Sequence, residues 1–381
     1  MQRPALRALL AAAALVLAAG CSSGTSPRPQ GGPTTAGPGS SAPASTAQLP
    51  PRKGSVKVVR TLAEGLKSPW GVAPLPDGGL LVASRDDGTV TRIDAGGKKT
   101  LLGTVTGVKP GGEGGLLGLA LSPSYASDHL VYAYFTTESD NRVARMLYDD
   151  KRPAGQQLGA PDTVLRGIPK GTIHNGGRIA FGPDKMLYVG TGETGERGLA
   201  QDRKSLGGKI LRMTPDGQPV HGNPEADSVV YSYGHRNVQG LAWDDAGRLW
   251  ASEFGQDTWD ELNLIGPGEN DGWPLVEGKG NRPGFVDPVE QWRTADASPS
   301  GIAYAAGSIW MAALRGERLW RIPLDGAKPL AEPEAFLTSQ YGRLRTVIAT
   351  GPHTLLLVTS ATDGRGTPHP GDDRILELDV T

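Results

Sequence analysis

Apolar and polar positions alternate along most of this chain in a pattern that recurs six times after Val56. Each copy has a small or apolar run, a polar turn built mainly from Pro, Asp or Gly, and a second apolar run, as in WGVAPLPDGGLLVAS and GRIAFGPDKMLYVGTGE. Two apolar runs joined by such a turn are typical of a β-hairpin. The copies begin at Trp70, Gly118, Gly177, Gly240, Gly301 and Thr346.

Hairpins spaced roughly 45 to 65 residues apart are typical of the blades of a β-propeller with insertions. The predicted fold class is therefore all-β, a six-bladed β-propeller of four-stranded antiparallel blades. An unrelated all-β sandwich is the alternative, but radial repetition leaves fewer exposed strand edges. We expect ring closure to pair Val56 to Leu62 with the last apolar run, Arg374 to Asp379.

The N-terminus has the pattern of a targeting segment. Two arginines precede an apolar run from Ala8 to Ala19, which is too short to span a bilayer and has the layout of a secretory signal. Cys21 follows small residues as in a bacterial lipobox, and it is the one cysteine of the chain. We expect residues 1–21 to be a lipoprotein signal peptide with lipidated Cys21, anchoring the chain to the membrane outside the cytoplasm. An ordinary signal peptide with a chance cysteine is the alternative.

Composition divides the rest of the chain into a tether and a folded domain. Residues 22–53 consist mainly of Ser, Thr, Pro, Gly and Ala and predict a disordered tether, so the predicted propeller domain spans residues 54–381. The 39 basic and 40 acidic residues leave a formal net charge of −1, which provides no electrostatic footprint for nucleic acid. We therefore expect no nucleic-acid partner, and membrane contact only through the lipid anchor.

Charged and polar side chains recur where loops join the predicted strands. The loops of propeller blades converge at one end of the central channel, so residues distant in sequence can meet there. Arginine donates two parallel hydrogen bonds to a planar carboxylate or phosphate, and several arginines at these loop ends predict a cationic pocket. Any one of them taken singly is more often a surface charge. The candidate residues are Glu113, His174, Glu193, Arg236, Asn237, Arg315, Arg343 and Arg345.

His174 is the candidate general base. Imidazole titrates near neutral pH and can accept a hydroxyl proton, and Glu193, at the end of the same hairpin, is placed to fix its tautomer. A turn residue bonded to the backbone is the alternative interpretation of His174. Metal binding by histidine has little support because no two histidines have ligand spacing, and a serine nucleophile has little because the sequence contains no G-x-S-x-G.

Five segments occur in a characteristic order: GGEGGLLGLALSP, HNGGRIAFGPD, GHRNVQGLAW, the stretch from DELN to DGWP, and GRLRTVIATGP. As a set they resemble the quinoprotein soluble glucose and aldose sugar dehydrogenases, over essentially the whole chain after the tether. The resemblance implies a six-bladed propeller that uses pyrroloquinoline quinone (PQQ) and calcium.

The resemblance assigns catalytic roles to three residues. His174 matches the base that removes the proton of the sugar's anomeric hydroxyl while hydride passes from that carbon to the quinone. Glu193 matches the acidic residue that supports the base. Arg236 matches the arginine that contacts the cofactor and polarises a quinone oxygen.

Further cofactor contacts are implied for Asn237, Arg343 and Arg345, and the two arginines suit the carboxylates of PQQ, a tricarboxylate. Three positions depart from the family pattern: Arg315 stands where lysine is usual, Glu113 where glutamine is usual beside the cofactor, and Val238 where proline commonly follows the HRN triplet. The added carboxylate of Glu113 should weaken the binding of an anionic cofactor unless it is protonated or paired.

Calcium is the second cofactor that the resemblance implies. One ion would bind the backbone carbonyls of Gly255 and Gln256, and a second, structural ion would bind Glu261 and the carbonyl of Asp271. Carbonyl and carboxylate oxygens are the hard ligands that Ca²⁺ prefers. Without the resemblance, the acidic stretch from Asp257 to Glu261 reads as a solvated turn.

The expected function is a PQQ- and calcium-dependent dehydrogenase that oxidises aldose sugars at C1 to lactones. We expect an external electron acceptor, because no haem motif or flavin fingerprint is present. Two alternatives stay open at this point. One is a propeller hydrolase of the lactonase type, and the other is a non-catalytic propeller binding module.

Overall fold

The computed structural model of the chain describes residues 49–381. The predicted signal peptide, Cys21 and residues 22–48 of the predicted tether lie outside the described residues. Within the described range, no helix combines the length and apolarity needed to cross a membrane.

The described chain forms six antiparallel sheets. Strand β1 (Val56–Ala63) comes first and joins the last sheet. Blade one contains β2 (Pro69–Pro74), β3 (Leu80–Ser84), β4 (Thr89–Ile93) and β5 (Lys99–Thr104). Blade two contains β6 (Leu116–Leu121), β7 (Leu130–Thr136), β8 (Asn141–Leu147) and β9 (Asp162–Ile168), with the short helix α1 (Tyr125–Asp128) between β6 and β7. Blade three contains β10 (Ile179–Phe181), β11 (Leu187–Gly190), β12 (Lys209–Met213) and β13 (Val230–Tyr233), with a 3₁₀ turn (Arg197–Ala200) after β11.

The second half of the chain continues the same order. Blade four contains β14 (Val238–Trp243), β15 (Leu249–Glu253), β16 (Trp259–Ile265) and β17 (Glu290–Arg293). Blade five contains β18 (Pro299–Ala305), β19 (Ser308–Ala313), β20 (Arg318–Asp325), β21 (Lys328–Pro329) and β22 (Glu334–Phe336). Blade six contains β23 (Leu344–Gly351), β24 (Thr354–Thr359) and β25 (Ile375–Val380), with β1 as its fourth strand. The innermost strands of neighbouring blades contact one another around the ring, and β23 contacts β2. The prediction of a six-bladed, all-β propeller is confirmed.

Ring closure joins the two ends of the folded chain. Strand β1 pairs antiparallel with β25, with Val56 opposite Val380 and Ala63 opposite Ile375. This confirms the predicted pairing of the early and late apolar runs. Because blade six takes strands from both ends of the domain, the ring is closed by hydrogen bonds between main-chain groups within that blade.

Glycines on the innermost strands allow the blades to approach closely. A Cβ on Gly118 would lie 2.3 Å from the carbonyl oxygen of Gly177, and one on Gly71 would lie 2.3 Å from that of Leu117. In blade six the corresponding residue is Thr346, whose hydroxyl donates to the carbonyl oxygen of Trp70 at 2.7 Å. The glycine that opens most of the repeated hairpins is therefore a packing requirement.

Blade five departs from the predicted four strands. Its β20 pairs with both β21 and β22, so the outer edge of the blade is split. Pro329 and Pro333 lie in or between these short strands, and proline has no N–H to donate to a continuous ladder. The start of the described chain also contacts this blade, because Arg321 Nη2 donates to the carbonyl oxygen of Pro51 at 2.7 Å.

Replacing Gly118 by alanine should lower the free energy of unfolding by about 1–3 kcal/mol, the usual cost of overpacking a dense interior. The reason is that the new Cβ overlaps the backbone of blade three. Unfolding in urea measures the change. Gly159→Ala is the matched control, because a Cβ there meets nothing nearer than 3.4 Å. Equal stability of the two variants would contradict this account of the inner-strand glycines.

Candidate active site

Loops from different blades converge on one cavity of about 310 Å³. The loops before the inner strands and after the second strands of the blades supply most of its walls. Predicted site residues from five of the six blades meet there, although they are far apart in sequence. Those that line the cavity are Glu113, His174, Arg236, Asn237, Gly255, Gln256, Arg315, Arg343 and Arg345.

His174 and Glu193 form a buried pair at one wall. His174 Nδ1 is hydrogen-bonded to Glu193 Oε1, and the Glu193 side chain is 1% exposed. The backbone holds the pair in place, because Glu193 N–H donates to Arg236 O at 2.9 Å and Thr194 N–H donates to His174 O at 3.2 Å. His174 itself has φ of +52°, a conformation uncommon outside glycine. With Nδ1 occupied, Nε2 is the ring nitrogen left for a molecule in the cavity.

Glu113 has two partners. Its Oε2 accepts a hydrogen bond from the backbone N–H of His174 at 2.8 Å, and its Oε1 lies 2.8 Å from Nη2 of Arg365. The carboxylate is therefore paired, which was one of the two conditions under which an acid at this position is compatible with an anionic ligand. Glu113 also fixes the main chain of His174.

A single carboxylate orients two of the predicted arginines. Asp363 Oδ2 lies 3.0 Å from Nη2 of Arg343 and 2.9 Å from Nη2 of Arg345. Burial alone would raise the pKa of Asp363, but Arg345 and Arg343 outweigh it and lower that pKa to about 2. Burial lowers the pKa of Arg345 to about 10, still well above neutral, so Arg345 stays charged beside an ionised Asp363.

Arg236 and Arg315 are less tightly paired. The Nη1 of Arg236 donates to the carbonyl oxygen of Phe254 at 3.3 Å, while its buried Nε has no partner within the described chain. Its guanidinium carbon lies 5.5 Å from the centre of the Trp273 ring. Burial lowers the pKa of Arg236, and Glu193 and Glu253 oppose that shift. Arg315 forms no ion pair within residues 49–381.

Sequence reasoning missed several residues of the cavity wall, including Arg85, Arg365, Asp260 and Asp363. A positional signal existed for Arg85, because it follows the second strand of blade one as Arg315 follows the second strand of blade five. Counting these residues, six arginines and three carboxyl groups line the cavity. The wall thus carries an excess of three positive charges when the carboxyl groups are ionised.

Glu261 and Asp271 do not line this cavity; they lie in a separate buried cluster with His235 and Glu253. His235 Nδ1 lies 2.8 Å from Glu253 Oε2, and its Nε2 lies 3.3 Å from Asp271 Oδ2. Both carboxylate oxygens of Asp271 are buried without a hydrogen-bond donor among the described residues. Burial raises the pKa of Asp271 to about 7, and burial together with Glu253 raises the pKa of Glu261.

In the part of the chain that the structure describes, no three His, Cys, Asp or Glu side chains converge as ligands on one point. A cation bound beside Glu261 or in the cavity would therefore need carbonyl oxygens as well. The predicted ligands Gly255, Gln256 and the carbonyl of Asp271 are of this kind.

Comparison with known proteins gives consistent matches. The family model described as Glucose / Sorbosone dehydrogenase matches residues 66–367. The structure of the PQQ-bound form of aldose sugar dehydrogenase from Streptomyces coelicolor is 73% identical, covers 87% of this chain and 100% of its own, and has a TM-score of 0.87. Aldose sugar dehydrogenase YliI of Escherichia coli is 31% identical over 335 residues, which are 79% of this chain and 89% of that protein. The apo-form structure of the soluble aldose sugar dehydrogenase from Escherichia coli is 26% identical, covers 86% of this chain and 99% of its own, and has a TM-score of 0.72.

The substitution Asp363→Asn should destabilise the protein at pH 7 by about 3–5 kcal/mol, because it leaves the buried Arg345 without its counter-charge. The folded-state pKa of Asp363 is depressed from 3.8 to about 2, so its stabilising effect is present above pH 3.8 and is lost as pH falls towards 2. The stability difference between wild type and variant should therefore shrink over that range.

Urea unfolding at pH 7 and near pH 3 tests this prediction. Asp77→Asn is the control, since Asp77 pairs with Arg92 at the surface and its loss should cost less than about 1 kcal/mol. A stability difference for Asp363→Asn that does not change with pH would contradict the assigned role.

Proposed function

The chain belongs to the glucose/sorbosone dehydrogenase family and is an oxidoreductase, and we propose that it oxidises aldose sugars at C1 to lactones, with PQQ and Ca²⁺ as cofactors. The supporting observation is the cavity wall, whose excess of three positive charges matches the three carboxylates of PQQ. The S. coelicolor relative, which is described as PQQ-bound, supports the choice of cofactor.

The arginines of the cavity fit a planar polycarboxylate. Asp363 holds the guanidinium groups of Arg343 and Arg345 in fixed positions, so little side-chain entropy remains to be lost when they bind an anion. Arg315 also lines the cavity, and it forms no ion pair with a carboxylate in the described chain. PQQ, when bound here, supplies the two-electron acceptor for the hydride from C1.

His174 is placed to remove the hydroxyl proton of the sugar. In the neutral tautomer whose Nδ1–H donates to Glu193 Oε1, Nε2 carries the lone pair that would accept the hydroxyl proton as a general base. When the C1 hydroxyl loses its proton to Nε2 and the C1–H bond gives up its hydride, the C1=O bond of the lactone forms. Glu193 then stabilises the imidazolium by its negative charge. Arg236 lines the cavity, and its positive charge would stabilise the negative charge that the quinone gains as it accepts the hydride.

The candidate cation sites have suitable ligands. The carbonyl oxygens of Gly255 and Gln256 accept no hydrogen bond from the described residues, and both residues line the cavity. The cluster of Glu261, Asp271 and Glu253 concentrates buried carboxylates around a single histidine. Such a cluster has a deficit of positive charge, and a divalent cation with oxygen ligands would offset it.

The two alternatives have less support than the dehydrogenase. A lactonase-type hydrolase has no evident need for six arginines around one cavity. The binding-module alternative depended on Glu113 as a residue that repels the cofactor, and the structure pairs that carboxylate with Arg365. We also propose, from the sequence of residues 1–53, that Cys21 is lipidated and that the enzyme faces the extracytoplasmic side of the membrane. Because the sequence contains no haem motif or flavin fingerprint, we propose that an external acceptor takes the electrons.

The substitution His174→Gln tests the proposed base. Removal of a general base should lower kcat for aldose oxidation by about 10²- to 10⁴-fold. The dissociation constant for PQQ should change by no more than about threefold, since the arginines that bind it are unchanged. Steady-state kinetics and an equilibrium PQQ titration give the two values, and lactone formation identifies the product.

His221→Gln is the matched control, because His221 is exposed and does not line the cavity. Undiminished turnover in His174→Gln would contradict the assignment of His174 as the general base. Loss of PQQ binding with turnover that recovers at saturating PQQ would make His174 a cofactor contact instead.

A further inference from the structure

One carboxylate outside the predicted set organises the loop that carries the cavity carbonyls. Glu277 lies between β16 and β17, and its Oε1 accepts hydrogen bonds from four successive backbone N–H groups. The distances are 2.8 Å from Gln256, 3.2 Å from Asp257, 3.1 Å from Thr258 and 3.2 Å from Trp259. Consecutive amides that converge on one point form a nest, a backbone concavity that binds anions. Here the anion is a side chain of the protein itself.

The nest determines the direction of the carbonyls of Gly255 and Gln256, two residues that line the cavity. In a planar trans peptide the C=O of one residue and the N–H of the next point in opposite directions. The N–H of Gln256 and the N–H of Asp257 both point to Glu277. The carbonyls of the same peptide planes, those of Gly255 and Gln256, must therefore point away from Glu277. Neither carbonyl is used in a hydrogen bond by the described residues, and both residues line the cavity.

Gly255 is required for this tight turn. A Cβ at this position would lie 1.8 Å from the carbonyl oxygen of Trp259 and 2.8 Å from Glu277 Oε1, so the chain could not fold around the carboxylate. The preceding peptide plane is also fixed, because Gly255 N–H donates to Asp260 Oδ1 at 2.9 Å. The loop is therefore held on both sides of its two free carbonyls.

The backbone beside Glu277 is itself anchored. The N–H of Gly278 donates to Glu261 Oε1 at 2.7 Å, within the buried acidic cluster. Residues 277 and 278 thus connect the cavity loop to that cluster. A displacement of Glu277 would release both the amides of the nest and this link.

We infer that Glu277 is a positioning residue, which aims the carbonyl oxygens of Gly255 and Gln256 at a divalent cation of the Ca²⁺ class in the cavity. The inference rests on the proposed function for the presence of the cation. It adds that the affinity of the site for Ca²⁺ depends on a carboxylate that does not itself touch the ion. Without Glu277 the four amides turn to solvent and the peptide planes rotate, so the two carbonyls lose their common direction.

The test compares wild type, Glu277→Ala and Glu277→Gln. In each apo-protein, PQQ binding is titrated against free Ca²⁺, and the Ca²⁺ concentration at half-saturation is recorded. Glu277→Ala should raise that concentration at least tenfold. Glu277→Gln should raise it less, because an amide oxygen still accepts hydrogen bonds but carries no charge. Amide hydrogen exchange of residues 256–259, measured without either ligand, should become faster in Glu277→Ala.

Asp287→Ala is the matched control. Asp287 accepts hydrogen bonds from the backbone N–H groups of Gly280 and Asn281 in the same connection between strands, but not from the cavity loop. This variant should leave the Ca²⁺ dependence within about twofold of wild type. An unchanged Ca²⁺ requirement in both Glu277 variants, or unchanged exchange at residues 256–259, would overturn the inference. A wild type whose PQQ binding ignores Ca²⁺ would instead contradict the calcium part of the proposed function.

Discussion

Like charges held together around one cavity repel one another, and this repulsion is the constraint on which the site depends. The arginines around the cavity exceed the carboxyl groups by three, and Arg178 adds a further buried cation beneath the cavity wall. Its guanidinium carbon lies 4.3 Å from the centre of the Trp70 ring, whose residue also lines the cavity. Burial lowers the pKa of Arg178 to about 9, and the charge of Arg345 adds to that effect. A bound polyanion would offset this repulsion, so the charge of the cavity wall favours an anionic ligand.

Backbone contacts, more than pairs of side chains, hold the charged residues of the cavity in position. Inner-strand glycines bring the blades close together, and the β1–β25 pairing closes the ring. On that base, main-chain hydrogen bonds hold the His174–Glu193 pair in place, as between Glu193 N–H and Arg236 O. Two carboxylates then act on the main chain of neighbouring loops, Glu113 on His174 and Glu277 on residues 256–259. Functional groups are thereby held in fixed directions, which is the condition for electrostatic preorganisation.

Much of the fold could be predicted from the sequence because the hairpin pattern recurs six times. Each hairpin carries its own turn residues, and five of the six carry the opening glycine, so the repeated copies support one another as evidence for the fold. The split edge of blade five was not predicted, although Pro329 and Pro333 explain it. The cavity residues that were predicted from recurrent loop positions or from the family resemblance do line one cavity. Two of the missed residues, Arg365 and Asp363, lie in the loop between β24 and β25, which is outside the repeated hairpins. The role of Glu277 depends on the path of two loops in space, and no local pattern specifies it.

The most direct test of the central claim is an equilibrium titration of the apo-protein with PQQ in the presence of Ca²⁺, alongside the trimethyl ester of PQQ, which keeps the quinone and loses the three negative charges. The account predicts saturable binding of one PQQ per chain, no comparable binding of the ester, and loss of the quinone absorption when an aldose is added. Equal affinity for PQQ and its ester, or no saturable PQQ binding at all, would contradict the claim that this cationic cavity is built for a tricarboxylate quinone.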